Sequence, residues 1–327
     1  MSIDPQRVLV TGASGFVGAA LCSRLASTTG VEVRAAVRNA SQRPVANAGV
    51  EQVGIQDLGL HTDWGAVLEG VDSVVHCAAR VHVMSERAQD PLAQFRHVNV
   101  DGTLSLARQA SQAGVRRFVF VSSIKVNGEQ TWPGQAFHAG DVPAPVDPYG
   151  ISKLEAEQAL LQLAQDTPMQ VVIVRPVLVY GPGVKANFRS MMQWLDKGIP
   201  LPLGGIHENR RSMVSIDNLV DLLALCTTHP AAAGQVFLAA DGEDLSTTEL
   251  LTRTAHALGR SSPRLLPIPA SWLIGAARLL GKPGLAQRLC GSLQADISKN
   301  RVVLGWVPPT SVEVALARTA QAYRRGG

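Results

Sequence analysis

Apolar residues gather along the chain in short runs, and the stretches between them carry polar residues at helical spacing. The runs fall at residues 7–10, 31–37, 73–77, 117–121 and 170–174, each of a length suited to a strand buried on both faces. Between the first two, residues 15–25 place apolar side chains at the three-to-four-residue interval of a helix. Strands alternating with helices predict an α/β fold built on a doubly wound parallel sheet. After Pro176 the alternation breaks. Proline and glycine thicken at 181–183 and 198–205, and residues 212–238 then turn apolar again. The pattern predicts a main domain of 1–175 plus 212–241, and a smaller, discontinuous lobe of 176–211 plus 242–327.

The first helix opens on Thr11-Gly12-Ala13-Ser14-Gly15-Phe16-Val17-Gly18. In such a loop Gly12 makes the tight turn, Gly15 lets the main chain approach a pyrophosphate, and Gly18 permits close packing of helix on strand. The free N–H groups at the helix start face phosphate oxygens. The spacing is G-x-x-G-x-x-G, a variant of the common dinucleotide fingerprint. The main domain is thus read as dinucleotide-binding and the smaller lobe as substrate-binding. Arg38 ends the second strand, where an NAD enzyme usually keeps an acid for the ribose 2′-hydroxyl. No carboxylate lies between residues 34 and 50, and a guanidinium matches a 2′-phosphate through several donors. NADP(H) is the expected cofactor and NAD(H) the alternative; the plainer reading makes Arg34 and Arg38 solvated strand-end charges.

Asp147-Pro148 reads as an N-cap with proline in the first turn, so Tyr149 and Lys153 share one face of a helix running to about residue 164. A phenol with a pKa of about 10 is a poor base at neutral pH, and an ammonium beside it favours the phenolate. The run 117–121 ends at Ser122-Ser123, where open α/β sheets bind ligands. Ser123 is placed to share a proton path with Tyr149.

With these motifs in hand, the chain resembles the extended short-chain dehydrogenase/reductases of the NAD-dependent epimerase/dehydratase family, which act on nucleotide sugars. The resemblance rests on residues 11–18, Asp57-Leu58, His76-Cys77-Ala78-Ala79, Asn99-Val100-Asp101-Gly102-Thr103, Ser122-Ser123, the Tyr149 and Lys153 pair and residues 175–183, in the family's order. It implies a Rossmann fold and a catalytic set of Ser123, Tyr149 and Lys153, with Asn99 in support. Cofactor contacts are implied for Gly12, Ser14, Gly15, Phe16, Val17, Gly18, Arg38, Tyr149 and Lys153, with Asp57 and Leu58 near the adenine and Ala78 and Ala79 along the channel. The implied partner is a nucleotide sugar, UDP-linked, held by Ser123, Lys125, Tyr149, Asn187, Phe188 and Arg211; a homodimer is expected.

The chain departs from the family in the smaller lobe. The segment Arg211-Ser212-Met213-Val214-Ser215-Ile216-Asp217-Asn218-Leu219 keeps the arginine of the family pattern and lacks its aspartate and histidine. The family's late Arg-Gly-Asp is replaced by Gly291-Ser292-Leu293-Gln294-Ala295-Asp296, which leaves Arg288 as the candidate for the second diphosphate contact. Ile124 and Lys125 stand where the family's 4,6-dehydratases carry carboxylates, so elimination lacks its proton carriers. The expectation is therefore an NADPH-dependent reductase of a C4 ketone, acting on a UDP-2-acetamido-2,6-dideoxy-4-hexulose to give UDP-QuiNAc or UDP-FucNAc for surface polysaccharide. Two alternatives stay open: a UDP-hexose 4-epimerase with bound NAD, and a non-catalytic NADP-sensing regulator.

Composition narrows the partners. The 327 residues carry a net charge of +4 without a lysine or arginine tract, which argues against nucleic acid. Cys22, Cys77, Cys226 and Cys290 have neither metal nor redox spacing and suit a reducing cytoplasm, and His76, His82 and His97 suggest no metal either. No leader segment is expected. The longest apolar stretches are interrupted by Arg175 or Arg278, so stable membrane insertion is not expected. Residues 270–289 read as a packed amphipathic helix pair, with a membrane-surface segment as the alternative.

Overall fold

The computed structural model describes residues 5–38, 49–81, 90–132, 134–281 and 283–326. Its strands are β1 (Gln6–Thr11), β2 (Val31–Arg38), β3 (Val50–Ile55), β4 (Ser73–His76), β5 (Arg117–Val121), β6 (Gln170–Pro176), β7 (Leu178–Tyr180), β8 (Arg211–Ser215), β9 (Val236–Ala239) and β10 (Asp244–Leu245). The helices of the main domain are α1 (Phe16–Ala26), α2 (Gly65–Leu68), α3 (Pro91–Arg96), α4 (Thr103–Gln112), α5 (Pro148–Asp166) and, after α6 (Ala186–Asp196), α7 (Ile216–Cys226). Then follow α8 (Thr247–Ala257), α9 (Ala270–Leu279), α10 (Pro283–Cys290), α11 (Ser298–Leu304) and α12 (Val312–Arg325).

Seven strands form one sheet in the order β3-β2-β1-β4-β5-β6-β9, with every pairing parallel. Side chains alternate across it. Val8 and Val10 join one core with Leu21 and Leu25 of α1 and Leu219 and Leu223 of α7, whereas Leu9 faces the opposite core with Leu106 of α4 and Leu160 of α5. The strand order reverses between β1 and β4, the crevice where doubly wound sheets bind their ligands. This is the predicted Rossmann-like α/β architecture.

Two sheet strands were not among the expected runs. β3, Val-Glu-Gln-Val-Gly-Ile, lies at the sheet edge and keeps polar residues on its exposed positions, so no continuous apolar run marks it. β9 is a four-residue strand inside the apolar return segment.

A third core fills the smaller lobe, with Tyr180, Phe188, Met192, Met213, Leu251 and Leu316 among its members. The chain does not divide as cleanly as expected. Leu304 and Trp306 pack into the core of α1 and α7, Asn300 Nδ2 donates to the Leu238 carbonyl of β9 (2.9 Å), and Trp306 Nε1 donates to Asp221 of α7 (2.9 Å). The late segment thus straps the lobe to the sheet. The stretch 198–205 runs beside 265–269 through the bridges Leu201 with Leu265 and Gly205 with Pro269. A Cβ on Gly205 would lie 2.4 Å from the Ile268 carbonyl oxygen, so only glycine allows that approach.

At the sheet centre His76 of β4 is fully buried between two hydroxyls, with Nδ1 2.7 Å from Thr11 Oγ1 and Nε2 3.0 Å from Thr103 Oγ1. Its ring stacks on Phe120 of β5. Burial, and secondarily the charge of Lys153, pushes its pKa down to about 3. An unfolded imidazole titrates near 6.5, so below that pH the unfolded chain binds a proton that the folded chain refuses. Folding stability is expected to fall as pH drops from about 6.5 towards 3. The urea midpoint of His76→Asn should show a shallower acid slope than that of the parent; equal slopes would refute the assignment.

Candidate active site

The glycine loop joins β1 to α1 and is shaped by close main-chain contact. Gly12 has a φ of 65°, and a Cβ there would sit 2.8 Å from the Ala78 nitrogen. A Cβ on Gly18 would meet the Gly12 carbonyl oxygen at 2.3 Å, and Gly15 N donates to that same oxygen at 2.8 Å. Ser14 and Gly15 are exposed, Phe16 and Val17 half-buried, and α1 begins with no side-chain cap. The free N–H groups of its first turn therefore point into the crevice. Ala78 and Ala79 follow β4 directly across it, and Ala78 N donates to Thr11 Oγ1 (3.3 Å). This cradle fits a pyrophosphate-bearing nucleotide.

Around the loop lie the residues expected to reach the adenosine half. Asp57 is exposed beyond β3, its Oδ1 accepting from Leu58 N at 2.7 Å. The Leu58 side chain is buried, so only its main chain is offered to a ligand. Arg38 is exposed at the end of β2. Arg34 is spoken for: buried, it pairs with Glu51 (2.8 Å) and donates to the carbonyls of Val67 and Glu69.

Across the switch point, α5 presents its chemistry. Asp147 caps it, accepting from Gly150 N at 2.6 Å, and Pro148 opens the first turn as expected. Tyr149, Lys153 and Glu157 then recur every four residues on one face. Tyr149 is half-buried and edge-on to Phe95, near Ser123. Its pKa is pushed up to about 12, chiefly by burial and then by the negative charge of Asp147, while Ser123 pulls the other way. The phenol therefore holds its proton at neutral pH. Lys153 is 2% exposed; its Nζ donates to the Val121 carbonyl (2.8 Å) and lies 4.3 Å from the centre of the Phe120 ring. Burial lowers its pKa to about 8, against the opposing pull of Glu157 and Cys77. Against the expectation that this ammonium lowers Tyr149, burial and the charge of Asp147 set the direction of its shift, and the Lys153 Nζ hydrogen bond goes to the end of β5.

Beneath the pair lies a network that sequence reasoning missed. Glu157 accepts from Ser122 Oγ and from Arg175, whose Nε and Nη2 approach it at 2.9 and 2.6 Å. Arg175 Nη1 also donates to Asn127 Oδ1 (3.0 Å), and Asn127 Nδ2 donates to the His138 carbonyl (2.9 Å). The available signal was Glu157 standing four residues past Lys153. Asn99, expected in catalytic support, is a positioning residue here. It sits in a π-helical turn (His97–Gly102), exchanges hydrogen bonds with the Arg80 main chain, and donates to Ser152 Oγ (3.0 Å), which in turn donates to the Tyr149 carbonyl.

The expected substrate residues divide. Lys125 is half-buried and ion-paired with Asp147 and with Glu129 (3.0 Å), close to the start of α5. Asn187 is exposed at the second position of α6. Phe188 is not available to a nucleotide base: it is buried in the third core and stacked on Tyr180 with ring centres 5.6 Å apart. Arg210 turns towards the carbonyls of His207 and Asn209. Arg211 donates to the Gly291 carbonyl (3.2 Å), and its pKa is lowered by burial and then by the neighbouring charge of Arg288.

The comparisons with known proteins follow this geometry. The model of the NAD dependent epimerase/dehydratase family matches residues 8–240. A UDP-glucose 4-epimerase of Vibrio cholerae is 47% identical over 98% of this chain and 96% of its own length. The chain belongs to the NAD-dependent epimerase/dehydratase family. Among solved structures, MoeE5 in complex with UDP-glucose and NAD superposes with a TM-score of 0.76 at 26% identity, covering 98% of this chain and 99% of that one. A UDP-glucuronic acid 4-epimerase from Bacillus cereus with NAD has the same fold, with a TM-score of 0.77 at 22% identity over 98% of this chain and 97% of that one. As a member of this epimerase/dehydratase family the chain is an enzyme that uses a nicotinamide cofactor, and Gly12, Gly15, Gly18 and the α1 amino terminus form the cradle that fits it.

For this family member the buried acid under the site yields a test. Glu157→Gln leaves the Arg175 guanidinium buried without its counter-charge, so urea unfolding should show a loss of about 3–5 kcal/mol. It also removes the charge that supports the Lys153 ammonium, so the NMR titration of that lysine should move to lower pH. A variant as stable as the parent, with Lys153 titrating unchanged, would contradict the network.

Proposed function

We propose that this enzyme is a 4-epimerase of a UDP-linked hexose, working with retained NAD. The observation that carries the reading is the 47% identity along nearly the whole chain to a UDP-glucose 4-epimerase. Support comes from Ser123, Tyr149 and Lys153 gathered beside the nucleotide cradle. When bound, a nicotinamide would supply the hydride acceptor at C4. The protein's part would be the proton: positive charge beside Tyr149 favours its phenolate, which would accept the proton from the C4 hydroxyl and give it back, with Ser123 beside the same oxygen. Lys153, held at the end of β5, would hold the nicotinamide ribose. Arg211 and Arg288 repel one another, and neither forms an ion pair with a carboxylate among the described residues. A sugar diphosphate supplies the missing negative charge, and exposed Asn187 adds an amide on the same lobe.

Incubation of the protein with NAD and UDP-glucose should produce UDP-galactose. Tyr149→Phe should slow that conversion roughly 10²–10⁴-fold while nucleotide binding persists. Near-normal turnover in the variant would remove Tyr149 from the proton path.

A second reading has its own observations. Arg38 is exposed at the end of β2, no carboxylate follows it before residue 51, and Tyr149 carries its proton at rest, ready to donate. These favour an NADPH-dependent reductase of a UDP-linked 4-keto sugar, giving UDP-QuiNAc or UDP-FucNAc for surface polysaccharide. If Arg38 grips a 2′-phosphate, NADPH should bind more tightly than NADH by about 1.5–3 kcal/mol, and Arg38→Ala should erase most of the gap. Equal affinities in the parent protein eliminate this reading. NADPH consumption with the keto sugar, without interconversion of UDP-glucose and UDP-galactose, eliminates the first.

A further inference from the structure

The helical hairpin of α9 and α10 carries a surface that the chemistry above does not use. The two helices pack on each other, as the amphipathic pattern led us to expect, but α9 buries little beyond Ala277. Its outward face is apolar: Trp272 is 72% exposed and Leu279 91%, with Gly275 and Ala276 exposed between them, and Leu280 just past the helix is 74% exposed. Trp272, Ala276 and Leu279 recur at the spacing of one helix face. A tryptophan and two leucines so placed are costly to leave against water.

Charge says what covers them. Residues 250–295 contain no aspartate or glutamate, yet they hold Arg253, Arg260, Arg264, Arg278, Lys282 and Arg288. Arg253 and Arg260 are spoken for by acids from other segments. Arg264 and Arg278 are exposed, and no acid pairs with them among the described residues. Arg278 flanks the apolar face of α9, its long stem suited to lie along an apolar layer with the guanidinium at its rim. A two-fold contact with a second copy would set this acid-free surface against itself, cation facing cation. An anionic lipid surface meets both halves of the pattern, the leucines and tryptophan entering the headgroup layer and the arginines pairing with phosphates.

We propose that α9 and α10 dock the enzyme peripherally on an anionic bilayer. No helix among the described residues is long and apolar enough to cross a membrane, so the attachment is to the surface. It is independent of the reaction assigned above. The docked hairpin leads straight into the lobe's cationic pair, because α10 carries Arg288 and ends one residue before Gly291, whose carbonyl holds Arg211.

The test is co-sedimentation of the full chain with vesicles of phosphatidylglycerol and phosphatidylcholine, against vesicles of phosphatidylcholine alone. Binding is expected with the anionic vesicles, weakening as salt rises. The double variant Trp272→Glu, Leu279→Glu should bind at least roughly tenfold more weakly, and Arg278→Glu should weaken binding and its salt dependence; both side-chain sets are exposed, and far-ultraviolet circular dichroism checks their folding. No binding to anionic vesicles, or equal binding by the folded double variant, overturns the proposal. So does a dimer of the parent that the double variant dissociates without any vesicle binding, since the face would then be a self-interface.

Discussion

Glu157 and Arg175 form an ion pair almost cut off from water, and the placement of the candidate active site depends on it. Glu157 stands on the same face of α5 as Tyr149 and Lys153, and Arg175 comes from β6, so the pair fixes the helix's height and rotation against the sheet. Removing two charges from water is expensive, and the geometry recovers that cost only because every partner is in place. Ser122 closes one side of the carboxylate, and Asn127 takes the remaining arm of the guanidinium. Ser122 and Asn127 flank Ser123 in sequence, so the network that seats α5 also fixes the turn holding the Ser123 hydroxyl. Position along the helix and position of the serine are one constraint.

The other half of the crevice is fixed by contact instead of charge. Gly12, Gly15 and Gly18 leave no room for a Cβ against the main chain around Gly12 and Ala78. Close packing there brings the α1 amino terminus beside the end of β4, and His76, locked between Thr11 and Thr103, ties β1 to β4 and α4 immediately below. Dense apolar packing on both faces holds the sheet. A rigid floor and two rigid walls follow from local rules: glycine where main chains touch, and buried polar groups only where partners are complete.

Much of this was legible in the sequence, and the limits have physical causes. The glycine loop, the Asp147-Pro148 cap and the Tyr149–Lys153 spacing are local signals, and the structure places each on the element expected. Five central strands were visible as apolar runs because both faces of a parallel sheet are buried. Edge strand β3 was not, since its exposed side tolerates polar residues. Phe188 shows the opposite failure: its motif context suggested a ligand contact, while stacking on Tyr180 consumes the ring. Asn99 hydrogen-bonds with Arg80 and Ser152, a relation between residues distant in sequence that its motif did not reveal. Glu157 and Arg175 were likewise invisible as a pair, because nothing local says that a charge on a helix and a charge on a strand will meet.

The electrostatics of α5 set the resting protonation of the candidate active site. Burial raises the Tyr149 phenol to about 12 and lowers the Lys153 ammonium to about 8, so both hold their protons at neutral pH. Glu157 is shared with Arg175 and Ser122, and Lys153 beside the crevice contacts the Val121 carbonyl and the Phe120 ring while feeling the charge of Glu157. Positive charge entering this pocket acts on Tyr149 in the sense opposite to Asp147, favouring the phenolate, and acts on Lys153 in the sense opposite to Glu157. The proton on Tyr149 is therefore coupled to the charge of whatever fills the cradle. Positive charge brought into the crevice would make the phenol a better base, and without it the phenol keeps its proton.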